Sequence, residues 1–360
     1  MTLFFELILL SIGRRDALSH NPSPSEWKTL FEISMKQAIT GICFAGVERL
    51  PNGQRPPLQV LLQWIAVTEQ VKKRNRVMNS YARELTKVFS QHGFRSCVLK
   101  GQGVARLYNL NDNLNDNLEI YRQSGDIDLW VDGEREKVLT FARSIGKIKS
   151  IDVKHADFEY FNDASVEIHS LPAWFYCPVH HRRFCKWLTE VKNEQFEVGE
   201  MGFASPTIPF NLVYSLIHIY RHLFDEGVGI RQMMDYYFIL LHSKPHERVD
   251  AYNMLCRLGM KSFVSATMYV MHEIFSLERE YFLCEPSTKC GKLFMNIILE
   301  GGNFGKYNEK NRAYNGNVVI DGIRNLYKNM RLVTDYPTEV LWAPFWKIGH
   351  FAWRKVKGYS

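Results

Sequence analysis

Cysteine is sparse in this sequence, and its distribution excludes one broad class of protein. The chain has 7 cysteines among 360 residues, an odd number scattered along its length. Small secreted domains without a large core depend on dense, even-numbered sets of cysteines. We therefore expect reduced thiols in this protein rather than a disulfide framework.

Targeting signals and long apolar runs are also lacking. The first residues, MTLFFELILLSIGRRD, have no basic segment before the apolar run and no small-residue cleavage site after it. Glu6 interrupts the run, which is too short to span a bilayer. We expect an amphipathic helix packed on the protein body, no transmembrane segment and a cytoplasmic location.

Charge of one sign is not concentrated in any block or tail. The formal net charge is +7, but the 45 basic residues are interspersed with 38 acidic ones. This balance suits an anionic partner, and a nucleotide or another phosphorylated ligand accounts for it as well as a nucleic acid does. Charge alone does not separate these partners, and nucleic acid remains the less favoured one.

Apolar residues are what the chain has in quantity. They make up 46% of it, ample for a core, and the length suggests two or three domains. Residues 25–50 predict one helix with Ser25 as its N-cap, and residues 58–91 predict a longer one. We predict three regions: an N-terminal helical region at 1–92, a core at 93–204 and a helical C-terminal domain at 205–360.

Strand-like runs are concentrated in the middle region. A helical pattern, EREKVLTFARSIG, separates the second run from the third, and turn residues separate the last three. A helix between strands and then a strand meander predict an α+β fold, with a small mixed sheet covered by helices. The five runs are FRSCVLK, GDIDLWV, IKSIDVK, DFEYFND and SVEIHSL.

Two acids in the second run raise a chemical question. Successive strand residues point to opposite faces, so Asp126 and Asp128 share one face while Ile127 and Leu129 share the other. The acidic face must meet water, a cation or a basic partner, because an unpaired buried charge is costly. Two close carboxylates repel each other, and Mg²⁺ neutralises such a pair while phosphate oxygens fill its other positions.

Two further motifs extend this pattern. In SVEIHS, Glu167 and His169 share a face, and if this strand lies beside the acidic one, Glu167 adds a third carboxylate. Three acids can hold two metal ions roughly 3.5 to 4 Å apart. Upstream, LKGQG ends a strand with Lys100, Gly101 and Gly103. Glycines let the backbone approach a phosphate closely, and Lys100 adds a positive charge.

The motifs VLKGQGVARLY, YRQSGDIDLWV and VEIHS occur in this order. Together they resemble the DNA polymerase β-like nucleotidyltransferases, most closely a bacterial group with the pattern LKG…R…GDIDL…(E/D)xH. The resemblance covers about residues 94–170. It extends more weakly into a helical segment that contains His218, His222, Arg231 and Asp235.

The resemblance implies a fold, a reaction and roles for residues. The expected fold is a small mixed nucleotidyltransferase sheet flanked by helices. The expected enzyme transfers a nucleoside monophosphate from a nucleoside triphosphate such as ATP to an acceptor, and it releases pyrophosphate. Asp126, Asp128 and Glu167 would be the catalytic acids and the ligands of Mg²⁺ or Mn²⁺. Lys100 and Gly101 would hold the triphosphate, although most of the superfamily has Gly-Ser or Gly-Gly there.

Several alternatives stay open at this stage. Arg122 either contacts the triphosphate or pairs with the acids. His218 and His222, four residues apart on one helical face, suit a metal pair, a packed core or a wall of the cleft. The acceptor is a small molecule, a sugar or a protein side chain. A catalytically silent nucleotide-binding or antitoxin-like regulatory protein on the same fold is the alternative function.

Overall fold

A five-stranded mixed sheet forms the centre of the middle region. The computed structural model describes residues 2–109, 117–305, 327 and 329–357. The sheet has the order β1-β2-β5-β4-β3, in which β2 and β5 are parallel and the other neighbours are antiparallel. The predicted α+β class is confirmed. The strands are β1 (Arg95–Val98), β2 (Ile127–Asp132), β3 (Lys147–Ile151), β4 (His155–Glu159) and β5 (Val166–His169).

Helices flank the sheet on both sides and form most of the rest of the described chain. Those before β2 are α1 (Thr2–Ser11), α2 (Pro24–Lys36), α3 (Thr40–Glu48), α4 (Leu58–Gln91) and the short α5 (Gln102–Ala105). Two more follow within the core region, α6 (Arg135–Ile145) and α7 (Pro178–Val191). The C-terminal region contributes α8 (Ile208–Phe224), α9 (Ile230–Leu241), α10 (Pro245–Arg257), α11 (Lys261–Phe275), α12 (Thr288–Gly301) and α13 (Pro337–Lys357).

The single helix predicted for residues 25–50 is wrong. The segment forms two helices, α2 and α3, because the chain turns at Ala38, which has a positive φ of 54°. The N-cap is Ser23 rather than Ser25, since Ser23 and Glu26 form a reciprocal capping box. The sequence NLNDNLNDNLE, Asn109 to Glu119, favours a loop and is interpreted as an insertion, and it lies mostly outside the described residues.

The two faces of β2 pack against different layers, as the alternation of its residues predicts. Ile127, Leu129 and Val131 lie in one apolar cluster with residues of α4 and α6. Trp130 points the other way and packs near the rings of Phe196 and Phe210. The acidic face of β2 is therefore turned toward the C-terminal helices. In the part of the chain that the structure describes, no helix is both long and apolar enough to cross a membrane.

Candidate active site

Three carboxylates meet where β2 and β5 run side by side. Asp126 immediately precedes β2, while Asp128 within β2 is the register partner of Glu167 on β5. One carboxylate oxygen from each of the three lies within 4.8 Å of the other two. The two strands are parallel, so the same face of the sheet presents all three acids. The sheet therefore brings together the acids that the sequence separates by about 40 residues.

Asp128 is the most enclosed of the three acids. Its side chain is 1% exposed, and its Oδ1 lies 2.9 Å from Lys100 Nζ and 2.8 Å from His169 Nε2. Burial alone would raise the pKa of Asp128, but these two groups hold it well below its usual range. Asp128 is consequently ionised in the folded protein and is shared between two positively polarised partners.

Asp126 has the opposite electrostatic setting, although it is only two residues away. The negative charge of Asp128 raises the pKa of Asp126, burial raises it further, and Lys100 only partly opposes these effects. Glu167 adds to the repulsion. The pKa of Asp126 therefore lies above its ordinary value, whereas that of Asp128 lies below it.

Glu167 connects the acids to two histidines. His169 Nε2 lies 3.2 Å from Glu167 Oε2, and His155 Nδ1 lies 3.8 Å from the same oxygen. Burial opposes the ionisation of Glu167, but the bond from His169 lowers the pKa of the carboxyl below its ordinary value. Burial disfavours the charged form of both imidazoles, and it lowers the pKa of His155. In His169 the bonds to Asp128 and Glu167 outweigh burial, so its pKa is raised.

The Lys-Gly turn lies directly beside the acids. Gly101 has a positive φ of 54°, and an added Cβ there would lie 3.7 Å from the carbonyl oxygen of Asp126. At Gly103 a Cβ would approach the carbonyl oxygen of Val98 to 2.1 Å, so only glycine fits. The turn brings Lys100 under the acidic face, where its ammonium group binds Asp128.

A cleft of about 1230 Å³ opens above the acids. Sheet residues, including Asp126 and Glu167, line one side, and the C-terminal helices line the other. This volume exceeds the roughly 300 to 1000 Å³ of pockets that enclose drug-sized ligands. Of the four residues to which the resemblance extends more weakly, His218 and His222 from α8 and Arg231 from α9 line the cleft, and Asp235 is not among its lining residues. His218 Nε2 and His222 Nε2 are 2.7 Å apart, which is a hydrogen-bond distance.

Arg122 is held by α9 rather than by the acids of β2. Its guanidinium donates two hydrogen bonds of 2.7 Å to the Asp235 carboxylate, and the Tyr108 hydroxyl donates a third at 2.6 Å. Arg231 donates to the Gln123 carbonyl oxygen at 3.0 Å. Both arginines thus fix the segment that leads into Asp126. Arg122 also borders a small space that adjoins the acids.

The sequence motifs do not include several polar and aromatic residues of the cleft wall, among them Lys154, His155, Trp174 and Arg221. Lys154 Nζ lies 3.8 Å from the centre of the Trp174 ring, and the Arg221 guanidinium lies 4.9 Å from the same ring. These three residues and His155 belong to no motif. Lys154 lies in a turn, and His155 is the first residue of β4. Only the register of His155 opposite His169 places it in the site.

Comparison with known protein families gives a match over most of the chain. The sequence profile of a family described as uncharacterised nucleotidyltransferase matches residues 23–276 of this chain. The match includes the sheet, the acids and helices α8 and α9. Searches with the chain match no curated protein and no solved structure.

Proposed function

Because the chain belongs to the uncharacterised nucleotidyltransferase family, we propose that it is a metal-dependent enzyme of the polymerase β-like type. The reaction is transfer of a nucleoside monophosphate from a nucleoside triphosphate to an acceptor. The observation that carries the proposal is the convergence of Asp126, Asp128 and Glu167 within 4.8 Å of one another, with Asp126 and Glu167 in the cleft lining. The family match supports nucleotidyl transfer, and the acids supply its chemistry.

The three acids fit a hard divalent ion. They offer oxygen ligands only, as Mg²⁺ and Mn²⁺ prefer. The charge of Asp128, burial and Glu167 raise the pKa of Asp126, and Lys100 opposes them only in part, which favours a further cation beside this carboxyl. A divalent ion held by Asp126, Asp128 and Glu167 would supply Lewis-acid activation of the phosphate and lower the pKa of the attacking hydroxyl.

The remaining parts of the site suit positioning. Lys100 and the backbone at Gly101 lie beside the acids, where a triphosphate would need cations and close backbone approach. Arg122 acts on the nucleotide indirectly, since its bonds to Asp235 hold the segment before Asp126. An acceptor oxygen or nitrogen attacks the α-phosphorus and forms a new bond to it. The bond from the α-phosphorus to the oxygen that links it to the β-phosphorus breaks.

Glu167 is placed to receive or orient the proton of the acceptor. Its carboxylate lines the cleft, and the hydrogen bond from His169 favours its ionised form. Pyrophosphate leaves with the bonding electrons of the broken bond. His169 contacts both Asp128 and Glu167, and its role is to keep the two carboxylates in a fixed relation.

The direct test is pyrophosphate release in the presence of Mg²⁺, each nucleoside triphosphate and a panel of acceptors. We expect Asp126→Asn combined with Asp128→Asn to reduce release about 100-fold or more, because metal activation is worth several kcal/mol. The matched control is Asp132→Asn, on the same strand but outside the cleft lining. It should retain activity within about twofold. Unchanged release in the double variant would refute the mechanism.

One observation favours the silent alternative, a nucleotide-binding or regulatory protein. Lys100 and His169 already neutralise Asp128, so this acid has cationic partners without a metal ion. Calorimetric titration with Mg²⁺ and each nucleotide separates the two functions. Nucleotide binding without pyrophosphate release for any acceptor, including the protein itself, would support the regulatory function.

A further inference from the structure

A second group of ligand-type side chains lies beside the three acids. His155 on β4 and His169 on β5 are register partners across an antiparallel pair. With Glu167 they form a set in which one ligand atom of each lies within 4.8 Å of the others. Two imidazoles and a carboxylate are typical ligands of zinc and related transition metals, whereas Mg²⁺ prefers oxygen alone. The set therefore differs chemically from the all-oxygen group.

The distances between these atoms fit the coordination shell of a small ion. Glu167 Oε2 lies 3.2 Å from His169 Nε2 and 3.8 Å from His155 Nδ1. Ligands bound at about 2.0 to 2.1 Å in a tetrahedral zinc site are roughly 3.3 Å from one another. Both carboxylate-to-imidazole distances lie within about half an ångström of this spacing.

His155 Nδ1 is the atom whose surroundings point most clearly to a ligand. It is buried and has no hydrogen-bond partner in the described part of the chain. Buried polar atoms are nearly always paired, so an unpaired one is a typical mark of an ion or water site. On the other side of the ring, His155 Nε2 faces the Asp157 carboxylate at 3.6 Å. Metal-binding histidines are commonly oriented by a carboxylate in this way.

We propose that His155, His169 and Glu167 form a binding site for a transition metal ion of the zinc class. The site shares Glu167 with the acidic group and adds His155, which has no part in the proposed transfer reaction. An ion bound at His169 Nε2 would displace the proton that this atom shares with Asp128 and Glu167. All three residues line the cleft. A fourth coordination position is therefore open to water or to a phosphate oxygen of a bound ligand.

Cobalt titration of the chelator-treated protein tests this site directly. A tetrahedral Co²⁺ ion with nitrogen ligands absorbs visible light strongly, whereas Co²⁺ in an octahedral oxygen site absorbs weakly. We expect one equivalent of Co²⁺ to give strong bands that Zn²⁺ removes and excess Mg²⁺ does not. His155→Ala should abolish these bands and weaken Zn²⁺ binding about 100-fold. The control His20→Ala, an exposed histidine outside the cleft lining, should leave them unchanged.

Further variants make each outcome decisive. His155→Cys should add a sulfur-to-cobalt charge-transfer band, which only a ligand at position 155 produces, so this test does not depend on how His155→Ala folds. Asp126→Asn should keep the cobalt spectrum even though it removes nucleotidyl transfer, which separates failure of this site from failure of the proposed function. The assignment would be overturned if the strong bands survived His155→Ala or if the wild type gave no strong bands. It would also be overturned if His218→Ala alone removed them.

Discussion

The two ends of β2 carry similar acids on one face of the strand but in opposite settings. At the start, Asp126 and Asp128 converge with Glu167 at the cleft. At the end, Asp132 forms ion pairs with two cations, Arg95 and Lys192, and its side chain is 22% exposed. Residues 126, 128 and 132 alternate identically along the strand, so alternation alone does not distinguish them.

The balance of nearby charge separates a candidate ligand from a structural ion pair. The end of β2 has one carboxylate and two cations, and those cations lower the pKa of Asp132 despite the opposing effect of burial. At the start, the charge of Asp128 raises the pKa of Asp126. A divalent ion at the proposed site would supply a positive charge where these carboxylates repel each other.

The largest expected difference between the two ends is in stability. Asp128→Ala removes the buried carboxylate that pairs with Lys100 and His169, and we expect it to lower the free energy of unfolding by about 3 kcal/mol. Asp132→Ala removes a partly exposed pair and should cost less than about 1 kcal/mol. Urea denaturation in the presence of a chelator measures both. Equal losses would show that the two ends are not electrostatically different.

Much of the sheet was predictable because strand alternation and turn residues are local properties. The pattern GDIDLWV predicted that Ile127 and Leu129 would be buried and that the acids would face the other way, and α4 covers the apolar face as this requires. Asp128 and Glu167 converge only because β2 pairs with β5. The sequence does not predict that pairing, so the third carboxylate was expected only if the two strands were neighbours. The structure shows that the two strands are neighbours.

Features that depend on distant partners were not predictable. The turn between α2 and α3, residues 37–39, has neither glycine nor proline. Ala38 nevertheless adopts a positive φ there and divides the two helices. Asp235 binds Arg122, which lies 113 residues earlier in the chain. His155 reaches the site only through its register opposite His169. Spacing within one segment carries no information about such contacts.

A smaller effect of opposite sign is expected for Asp126. The pKa of Asp126 is raised in the folded protein, so its ionisation destabilises the fold. This loss begins as the pH rises through about 3.9, the pKa of an aspartate in the unfolded chain, and it grows at higher pH. Asp126→Asn should therefore raise the free energy of unfolding by roughly 1 kcal/mol at neutral pH in chelator. The gain should vanish well below pH 4, where both forms are neutral. Denaturation curves across this range test the sign.

Magnesium sharpens this prediction, because a bound ion would relieve the same repulsion. With Mg²⁺ present, the wild type should gain stability and Asp126→Asn should gain less, so the difference between them shrinks. Asp132→Asn is the control and should show no such dependence on Mg²⁺. A stabilisation by Asp126→Asn that Mg²⁺ does not alter would indicate that the repulsion has no connection with a metal ion.

The smallest effect is expected at the exposed end of β2. Arg95→Ala removes one of two cations from Asp132, while Lys192 remains 3.3 Å from it, so the loss should be about 0.5 kcal/mol at low salt. Because Arg95 is half exposed, molar salt should screen the interaction and remove most of this difference. Lys100→Ala should instead cost the same at both salt concentrations, since its pair with Asp128 is enclosed. A salt-insensitive loss in Arg95→Ala would point to its packing near the Phe196 ring rather than to its charge.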